Sequence, residues 1–139
     1  MLKGSCLCGA VRVTVADTLH NPVACHCGQC RKATGNHVVS GRCPEAEVTI
    51  EGEVRWYTSS PGARRGFCPT CGSQMFWKLE SSPNISVALG MLDGETGLAL
   101  TGHIYCADKG DWEEIPDSEA APRWEYGDLA SDAKPWRPE

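Results

Sequence analysis

Seven of the nine cysteines in this 139-residue chain fall into three tight groups, and this grouping limits what the chain can fold into. The groups are Cys6-Leu7-Cys8, Cys25-His26-Cys27-Gly28-Gln29-Cys30 and Cys68-Pro69-Thr70-Cys71. An odd number of cysteines cannot close entirely into intrachain disulfides, and a reducing compartment opposes disulfides in any case. A glycine in or after each group permits the tight turn that two sulfurs need to reach one ion. The pattern therefore indicates metal ligation.

Ligand counting divides these cysteines into two sites. Zinc takes four ligands in a tetrahedron, with thiolate sulfurs about 2.3 Å from the ion. Two groups each supply a pair, and together they make a closed structural site, here named the four-cysteine cluster: Cys6, Cys8, Cys68 and Cys71. The third group supplies three thiolates, here named the three-cysteine cluster: Cys25, Cys27 and Cys30. Three protein ligands with one open position are typical of a catalytic zinc, so we predict two Zn²⁺ per chain.

Other interpretations of the cysteines stay open at the level of the sequence. The four-cysteine cluster is compatible with buried thiols or disulfides. The three-cysteine cluster is compatible with a second structural ion completed by His26, His37 or another side chain. Iron accepts the same ligand types as zinc. We interpret Cys43 and Cys106 as small buried apolar residues, because cysteine outside a site is often buried.

The histidines and basic residues give weaker signals. His26 lies between two predicted ligands, so we expect its ring to point away from the ion and to line the pocket or hydrogen-bond a sulfur. We interpret His20, His37 and His103 as ordinary turn or strand residues. Two basic pairs flank the cysteine groups and either attract an anionic substrate, offset thiolate charge or form a solvated face: Arg31 and Lys32, and Arg64 and Arg65.

Short apolar runs between turn residues predict an all-β fold of several small, curled antiparallel sheets with little helix. Val11, Val13 and Val15 alternate with polar residues, which is the period of a half-buried strand. Further strands are predicted at Val48–Ile50, Val54–Tyr57, Met75–Trp77, Ile85–Leu89 and Leu98–Leu100. Glu51–Glu53 is predicted to be a hairpin turn. Helix is predicted only from Cys27 to Thr34, closed by Gly35, and weakly at Asp117–Ala121.

Charge divides the chain into a near-neutral body and an acidic tail. Residues 111–139 carry nine acids and three bases, whereas residues 1–110 carry ten bases and nine acids. We predict a zinc-binding domain over 1–112 and an acidic tail containing Trp and Pro over 113–139. Trp112, Trp124 and Trp136 are expected to pack parts of this tail on the domain. A near-neutral body disfavours nucleic-acid binding. No signal segment or apolar run of roughly 20 residues is visible, so we predict a cytoplasmic protein without a membrane partner.

The cysteine motifs resemble those of the glutathione-dependent formaldehyde-activating enzyme family, to which centromere protein V also belongs. The resemblance spans about residues 3–112 and rests on Gly4–Val11, Cys25–Lys32 and Phe67–Ser73, with support from Gly90–Asp93 and His103–Tyr105. It implies a β-tent fold of the Mss-four-like group. It also implies a structural zinc on the four-cysteine cluster and a catalytic zinc on the three-cysteine cluster.

The resemblance further implies an activity, namely the addition of glutathione to formaldehyde to give S-hydroxymethylglutathione. We therefore expect a zinc-dependent carbon–sulfur lyase whose partners are a glutathione-like thiol and a small carbonyl compound. The alternative is a non-catalytic binding module stabilised by zinc. A protein side chain as fourth ligand of the second ion favours the module, whereas an open position favours the enzyme.

Overall fold

The computed structural model describes residues 1–127, and the chain divides into two compact units that each contain one cysteine cluster. Unit 1 comprises Met1–Asn21 and Ser40–Leu98, and unit 2 comprises Pro22–Val39 and Ala99–Glu139. The strands are β1 Leu2–Ser5, β2 Arg12–Val15, β3 His20–Cys25, β4 Val38–Pro44, β5 Val48–Glu51, β6 Arg55–Ser60, β7 Ala63–Phe67, β8 Gln74–Leu79, β9 Asn84–Ala88 and β10 Gly102–Ile104. Helix α1 spans Gly28–Thr34. The predicted all-β fold with small sheets and little helix is confirmed.

Unit 1 contains a three-stranded sheet and a second group of antiparallel strands. The three-stranded sheet has the order β1-β2-β5, with antiparallel neighbours. In the second group, β4, β9, β8, β7 and β6 follow one another, again antiparallel. Strand β2 has the predicted alternation, because Val13 and Val15 are buried while Arg12 is exposed. The hairpin β6–β7 turns at Pro61-Gly62, and Gly62 supplies the positive φ of 75°.

The core of unit 1 lies on the inner faces of these strands. Met75 and Phe76 of β8 and Ile85 and Val87 of β9 are each at most 1% exposed. Each such side chain contributes roughly 1.5–3 kcal/mol of transfer free energy. Trp56 extends this core by stacking on Phe76, with ring centroids 6.0 Å apart. The strands thus form a fixed frame for the loops that carry the four-cysteine cluster.

Three predictions of local structure are wrong. Glu51–Glu53 is not a hairpin turn, because β5 pairs with β2 while β6 pairs with β7. Leu98–Leu100 forms no strand, and the Leu98 amide bonds to the Thr96 hydroxyl at 3.2 Å instead of to a neighbouring strand. Asp117–Ala121 forms a turn and no helix, since proline at 122 disfavours helical backbone at the residue before it. Trp136 lies outside the described residues.

Gly52 sits at the point where the chain leaves β5, and alanine there should be costly. Its φ of 96° is unfavourable for a side chain, and an added Cβ would lie under 3.0 Å from the carbonyl oxygen of Ala10. Gly62 is a matched control, because its φ is 75° but nothing lies within 4 Å of the added Cβ. We expect Gly62→Ala to cost about 1–2 kcal/mol. Gly52→Ala should cost about 1–3 kcal/mol more from the clash, measured by urea unfolding.

Unit 2 is built on the parallel pair β3 and β10, whose register sets Cys25 opposite Ile104. Helix α1 follows β3 and ends at Gly35, which has a φ of 82° and donates its amide to the Arg31 carbonyl. The predicted helix is therefore confirmed. Since α1 follows β3 at once, the three cysteines of this segment are placed at a strand end and a helix start.

The segment 122–126 runs beside β10 and completes unit 2. The His103 amide donates to the Pro122 carbonyl at 2.8 Å, and the Trp124 amide donates to the His103 carbonyl at 2.9 Å. Gly102 permits the Trp124 ring to pack closely, because an added Cβ would lie under 3.0 Å from it. These contacts show that the segment packs on unit 2, but they do not show whether residues 1–112 fold without it. The domain boundary after residue 112 therefore stays a prediction. No helix of the described residues is long and apolar enough to cross a membrane.

Candidate metal centres

The four-cysteine cluster lies in unit 1 on two loops of similar construction. One loop follows β1, where the Gly9 amide donates to the Cys6 carbonyl at 3.0 Å. The other follows β7, where the Gly72 amide donates to the Cys68 carbonyl at 2.9 Å. Both glycines have a φ of 77°, which is the left-handed backbone that other residues rarely adopt. Each loop therefore folds its amides around a pair of sulfurs, as the glycine positions predict.

The sulfur spacing in the four-cysteine cluster fits one tetrahedral ion. The Cys6 and Cys8 sulfurs are 3.6 Å apart, and those of Cys8 and Cys68 are 3.8 Å apart. Sulfurs about 2.3 Å from one ion at tetrahedral angles lie about 3.8 Å from each other. All four ligand atoms lie within 4.8 Å of one another, and none of these cysteines forms a disulfide. The donor set therefore fits zinc.

Proton affinities differ sharply within this cluster. Hydrogen bonds from the Ser73 side chain and backbone lower the pKa of Cys71 to about 5. The Ala10 amide lowers the pKa of Cys8, but desolvation and the thiols of Cys6 and Cys71 outweigh it and raise the pKa to about 11. At neutral pH and without a cation, Cys71 is therefore a thiolate while Cys8 keeps its proton. A dication replaces that proton on binding.

The three-cysteine cluster lies in unit 2, where β3 passes into α1. Cys25 ends β3, Cys27 caps α1, and Cys30 lies in its first turn. The Cys30 amide donates to the Cys27 sulfur at 3.3 Å, and the Arg31 amide donates to the Cys27 carbonyl at 2.9 Å. The helix start therefore brings Cys27 and Cys30 to the same side as the strand end.

The three sulfurs of this cluster lie within 4.8 Å of one another, and none is in a disulfide. Within residues 1–127, no fourth His, Cys, Asp or Glu joins the group. Hydrogen bonds with Cys27 and Cys30, together with burial, raise the pKa of Cys25 far above its ordinary value. Without a cation these thiols therefore share protons, whereas a dication would stabilise the thiolates.

The ring of His26 contacts other histidines and an acid within unit 2. It is 1% exposed, with Nε2 3.0 Å from Nδ1 of His103 and Nδ1 3.2 Å from Oε2 of Glu113. Nδ1 of His37 lies 2.8 Å from the other carboxylate oxygen of Glu113. Burial lowers the pKa of both His26 and His103. A neutral ring suits the His26–His103 hydrogen bond, because one nitrogen of the pair must accept.

Four residues form what is here named the histidine–glutamate group: His26, His37, His103 and Glu113. The sequence singles out His26 and offers His37 only as an alternative ligand of the three-cysteine cluster, and it gives no functional role to His103 or Glu113. His37 and His103 were interpreted as ordinary turn or strand residues. Glu113 lies in the acidic stretch, where it resembles its neighbours in sequence. The only sequence signal for this group is the position of His26 between two predicted ligands. A histidine buried beside a metal site needs polar partners, but the sequence does not say which residues they are. His20 matches its ordinary role, with Nδ1 2.8 Å from the Thr18 carbonyl.

The remaining cysteines and basic residues divide into clear roles. Cys43 is fully buried in the core of unit 1, as predicted, whereas Cys106 is only half-buried. Arg31 donates from Nε to the Asp108 carbonyl at 3.2 Å within unit 2. Arg64 lies over the Trp56 ring at 4.4 Å and pairs with Glu80 at 3.0 Å. Arg64 is thus occupied by structural contacts.

The fold and the two clusters define a small all-β protein with cysteine groups able to hold metal ions. The family model for the glutathione-dependent formaldehyde-activating enzyme matches residues 1–108, and the chain belongs to this family. It is 29% identical over 111 residues to an uncharacterized lyase of Schizosaccharomyces pombe, covering 78% of this chain and 81% of the relative. A solved structure of a Rhodobacter sphaeroides protein has a similar fold, with a TM-score of 0.57 and 24% identity, over 67% of this chain and 89% of that one.

Proposed function

We propose that the chain is a zinc-dependent carbon–sulfur lyase that joins a thiol such as glutathione to formaldehyde or another small carbonyl compound. Family membership over residues 1–108 and the lyase name of the Schizosaccharomyces pombe relative support lyase activity. The observation that carries the proposal is the three-cysteine cluster, whose sulfurs converge without a fourth protein ligand among the described residues. Three ligands leave one coordination position for a substrate.

We assign one zinc to each cluster, so that two Zn²⁺ bind per chain. The four-cysteine cluster fills its ion and serves the fold. In the three-cysteine cluster, a bound zinc supplies a position where a substrate thiol binds as thiolate with a lowered pKa. Three thiolates on a dication leave a net charge of −1. A zinc ion with this charge would polarise a carbonyl only weakly, so the cluster is better suited to exchanging its fourth ligand.

The proposed reaction forms and breaks one carbon–sulfur bond. The substrate thiolate attacks the carbonyl carbon, the π electrons of the carbonyl move to oxygen, and the oxyanion takes a proton to give a hemithioacetal. In the lyase direction, the hydroxyl loses its proton and the carbon–sulfur bond breaks. No atom is oxidised or reduced against an outside partner, so the two substrates and water suffice.

His26 is assigned a positioning role in this reaction. Its ring nitrogens face Glu113 and His103, so neither is left to exchange a proton with substrate. Its amide donates to the Ile104 carbonyl at 3.0 Å, which fixes the backbone between Cys25 and Cys27. We therefore assign the proton transfer to water and the alignment of two sulfurs to His26.

The activity is tested by NMR exchange spectroscopy with glutathione and formaldehyde. These reagents combine spontaneously, so the measured quantity is the exchange rate between free and hydroxymethylated glutathione as protein is added. We expect the rate to rise in proportion to zinc-loaded protein and to fall to the spontaneous value after chelation. Cys43→Ser, which lies outside both clusters, should retain the acceleration. An unchanged rate at all protein concentrations would remove glutathione and formaldehyde as substrates.

A further inference from the structure

We propose that His26, His37 and Glu113 form a third site for a divalent transition-metal ion, separate from both cysteine clusters. The ligand atoms of these three residues lie within 4.8 Å of one another in unit 2. Two imidazoles and one carboxylate are a ligand set that binds zinc in hydrolases and iron in oxygenases. The proposed activity uses the backbone amide of His26 but none of these three side chains, so the inference stands apart from it.

The distances within the group are close to those of shared coordination, since the His26 distance lies in the expected range and the His37 distance is slightly shorter. Nδ1 of His37 is 2.8 Å from Oε1 of Glu113, and Nδ1 of His26 is 3.2 Å from Oε2. Nitrogen and oxygen ligands about 2.1 Å from one ion lie about 3.0–3.4 Å apart at angles between octahedral and tetrahedral. The carboxylate therefore offers one oxygen toward each histidine at a spacing that one ion can bridge.

The position of His37 Nδ1 is compatible with metal ligation. Its Nδ1 is fully enclosed and makes no well-aligned hydrogen bond, although the Glu113 oxygen is only 2.8 Å away. In a hydrogen bond the nitrogen points at the oxygen. In a shared metal site both atoms instead point at a third position between them. A buried nitrogen that faces an acceptor closely but at a poor angle is what two ligands of one ion would show.

His26 has the support that metal-bound histidines have. A ligating imidazole almost always donates its other ring N–H to an acceptor, which fixes the ring and its tautomer. Nε2 of His26 lies 3.0 Å from Nδ1 of His103, and both rings are buried. If Nε2 of His26 donates to His103, Nδ1 of His26 carries a lone pair that faces the carboxylate of Glu113. A cation bound between this lone pair and the carboxylate would remove the repulsion between them.

One member of this group, Glu113, borders an acidic cavity. Glu113 lines a cavity of about 490 Å³ together with other charged residues of unit 2. The charged side chains on its wall are Asp111, Glu113, Glu114, Glu125, Lys109 and Arg123, so acids outnumber bases four to two. A negative wall raises the local concentration of cations. The cavity thus favours cations beside Glu113.

The charge of the site determines what it would bind besides the ion. One carboxylate on a dication leaves a net charge of +1, whereas three thiolates leave −1. A positive ion with three protein ligands keeps positions for oxygen donors such as water or a small carbonyl compound. His26 is adjacent in sequence to Cys25 and Cys27, so the two sites are neighbours along the chain.

The test measures whether the protein binds one metal ion beyond those held by its cysteines. Full-length protein loaded with zinc at its cysteines is titrated with Zn²⁺ by calorimetry, and then prepared with Co²⁺ for absorption spectroscopy. We expect one further Zn²⁺ per chain, and one Co²⁺ that adds no thiolate-to-cobalt charge-transfer intensity. Glu113→Ala and His37→Ala should each lower the affinity for this ion by at least about tenfold. Even the loss of a residue that only hydrogen-bonds a metal ligand lowers metal affinity by about 10–100-fold.

Glu114→Ala is the matched control, because it removes an acid from the same cavity wall but not from the group. It should leave the affinity for the further ion within about twofold of wild type. If Glu113→Ala fails to fold, His37→Ala carries the test, since His37 is 26% exposed and tolerates truncation. No ion beyond those of the cysteines, or an equal loss in Glu114→Ala, would overturn the proposal. Failure of the three-cysteine cluster to take up zinc in the starting preparation would instead count against the proposed function alone.

Discussion

Cys6→Ser is expected to leave unit 1 unfolded at room temperature. Serine has nearly the size of cysteine, so the change removes a ligand without creating a large cavity. A structural zinc contributes roughly 10–16 kcal/mol of binding free energy, which is also folding free energy. Whole domains are stable by only about 5–15 kcal/mol. The expected result is loss of NMR chemical-shift dispersion and of about one zinc per chain, measured by NMR and by elemental analysis.

Cys43→Ser gives the control for this prediction. Cys43 is fully buried in the same unit, so the substitution introduces the same polar group into the same core without touching the cluster. Burying a hydroxyl costs about 1–3 kcal/mol by mutational data. We expect a folded protein with a lowered urea midpoint and its full zinc content. Equal behaviour of the two variants would mean that Cys6 is only a core residue.

The sequence predicts the cysteine clusters well because metal ligation is local chemistry. Two sulfurs on a tight turn must be close in sequence, and the turn needs a glycine, so spacing and glycine positions together identify each loop. The four-cysteine cluster also requires that two such loops meet across 60 residues. Ligand counting supplies that pairing, because neither pair alone satisfies a tetrahedral ion.

The sequence predicts strand partners and the histidine–glutamate group poorly. Val48–Ile50 is correctly a strand, but alternation of apolar residues does not say whether its partner is β2 or β6. Contact between His26 and Glu113 spans 87 positions, and an acidic residue in an acidic stretch has no local feature that marks it. No periodicity of the sequence encodes such a tertiary contact. The histidine–glutamate group is therefore formed mainly by contacts between residues far apart in the sequence.

Cys27→Ser should have the opposite outcome to Cys6→Ser, namely loss of one zinc and of activity with the fold retained. The sulfur of Cys27 accepts the Cys30 amide as the cap of α1, and serine is a favoured residue at this position. The backbone bonds of the segment, from His26 to Ile104 and from Arg31 to Cys27, do not use the side chain. The substitution therefore removes a ligand while keeping the local structure.

The measurements for Cys27→Ser are zinc content, circular dichroism and the glutathione exchange rate. We expect one zinc fewer per chain, an unchanged spectrum and an exchange rate equal to the spontaneous one. Cys106→Ser provides the control in the same unit, because Cys106 lies outside every ligand group and should keep both zinc and activity. If Cys27→Ser unfolds as Cys6→Ser does, both ions are structural and the open-position argument fails. If it loses zinc but keeps the acceleration, the chemistry takes place elsewhere, and the histidine–glutamate group becomes the first place to look.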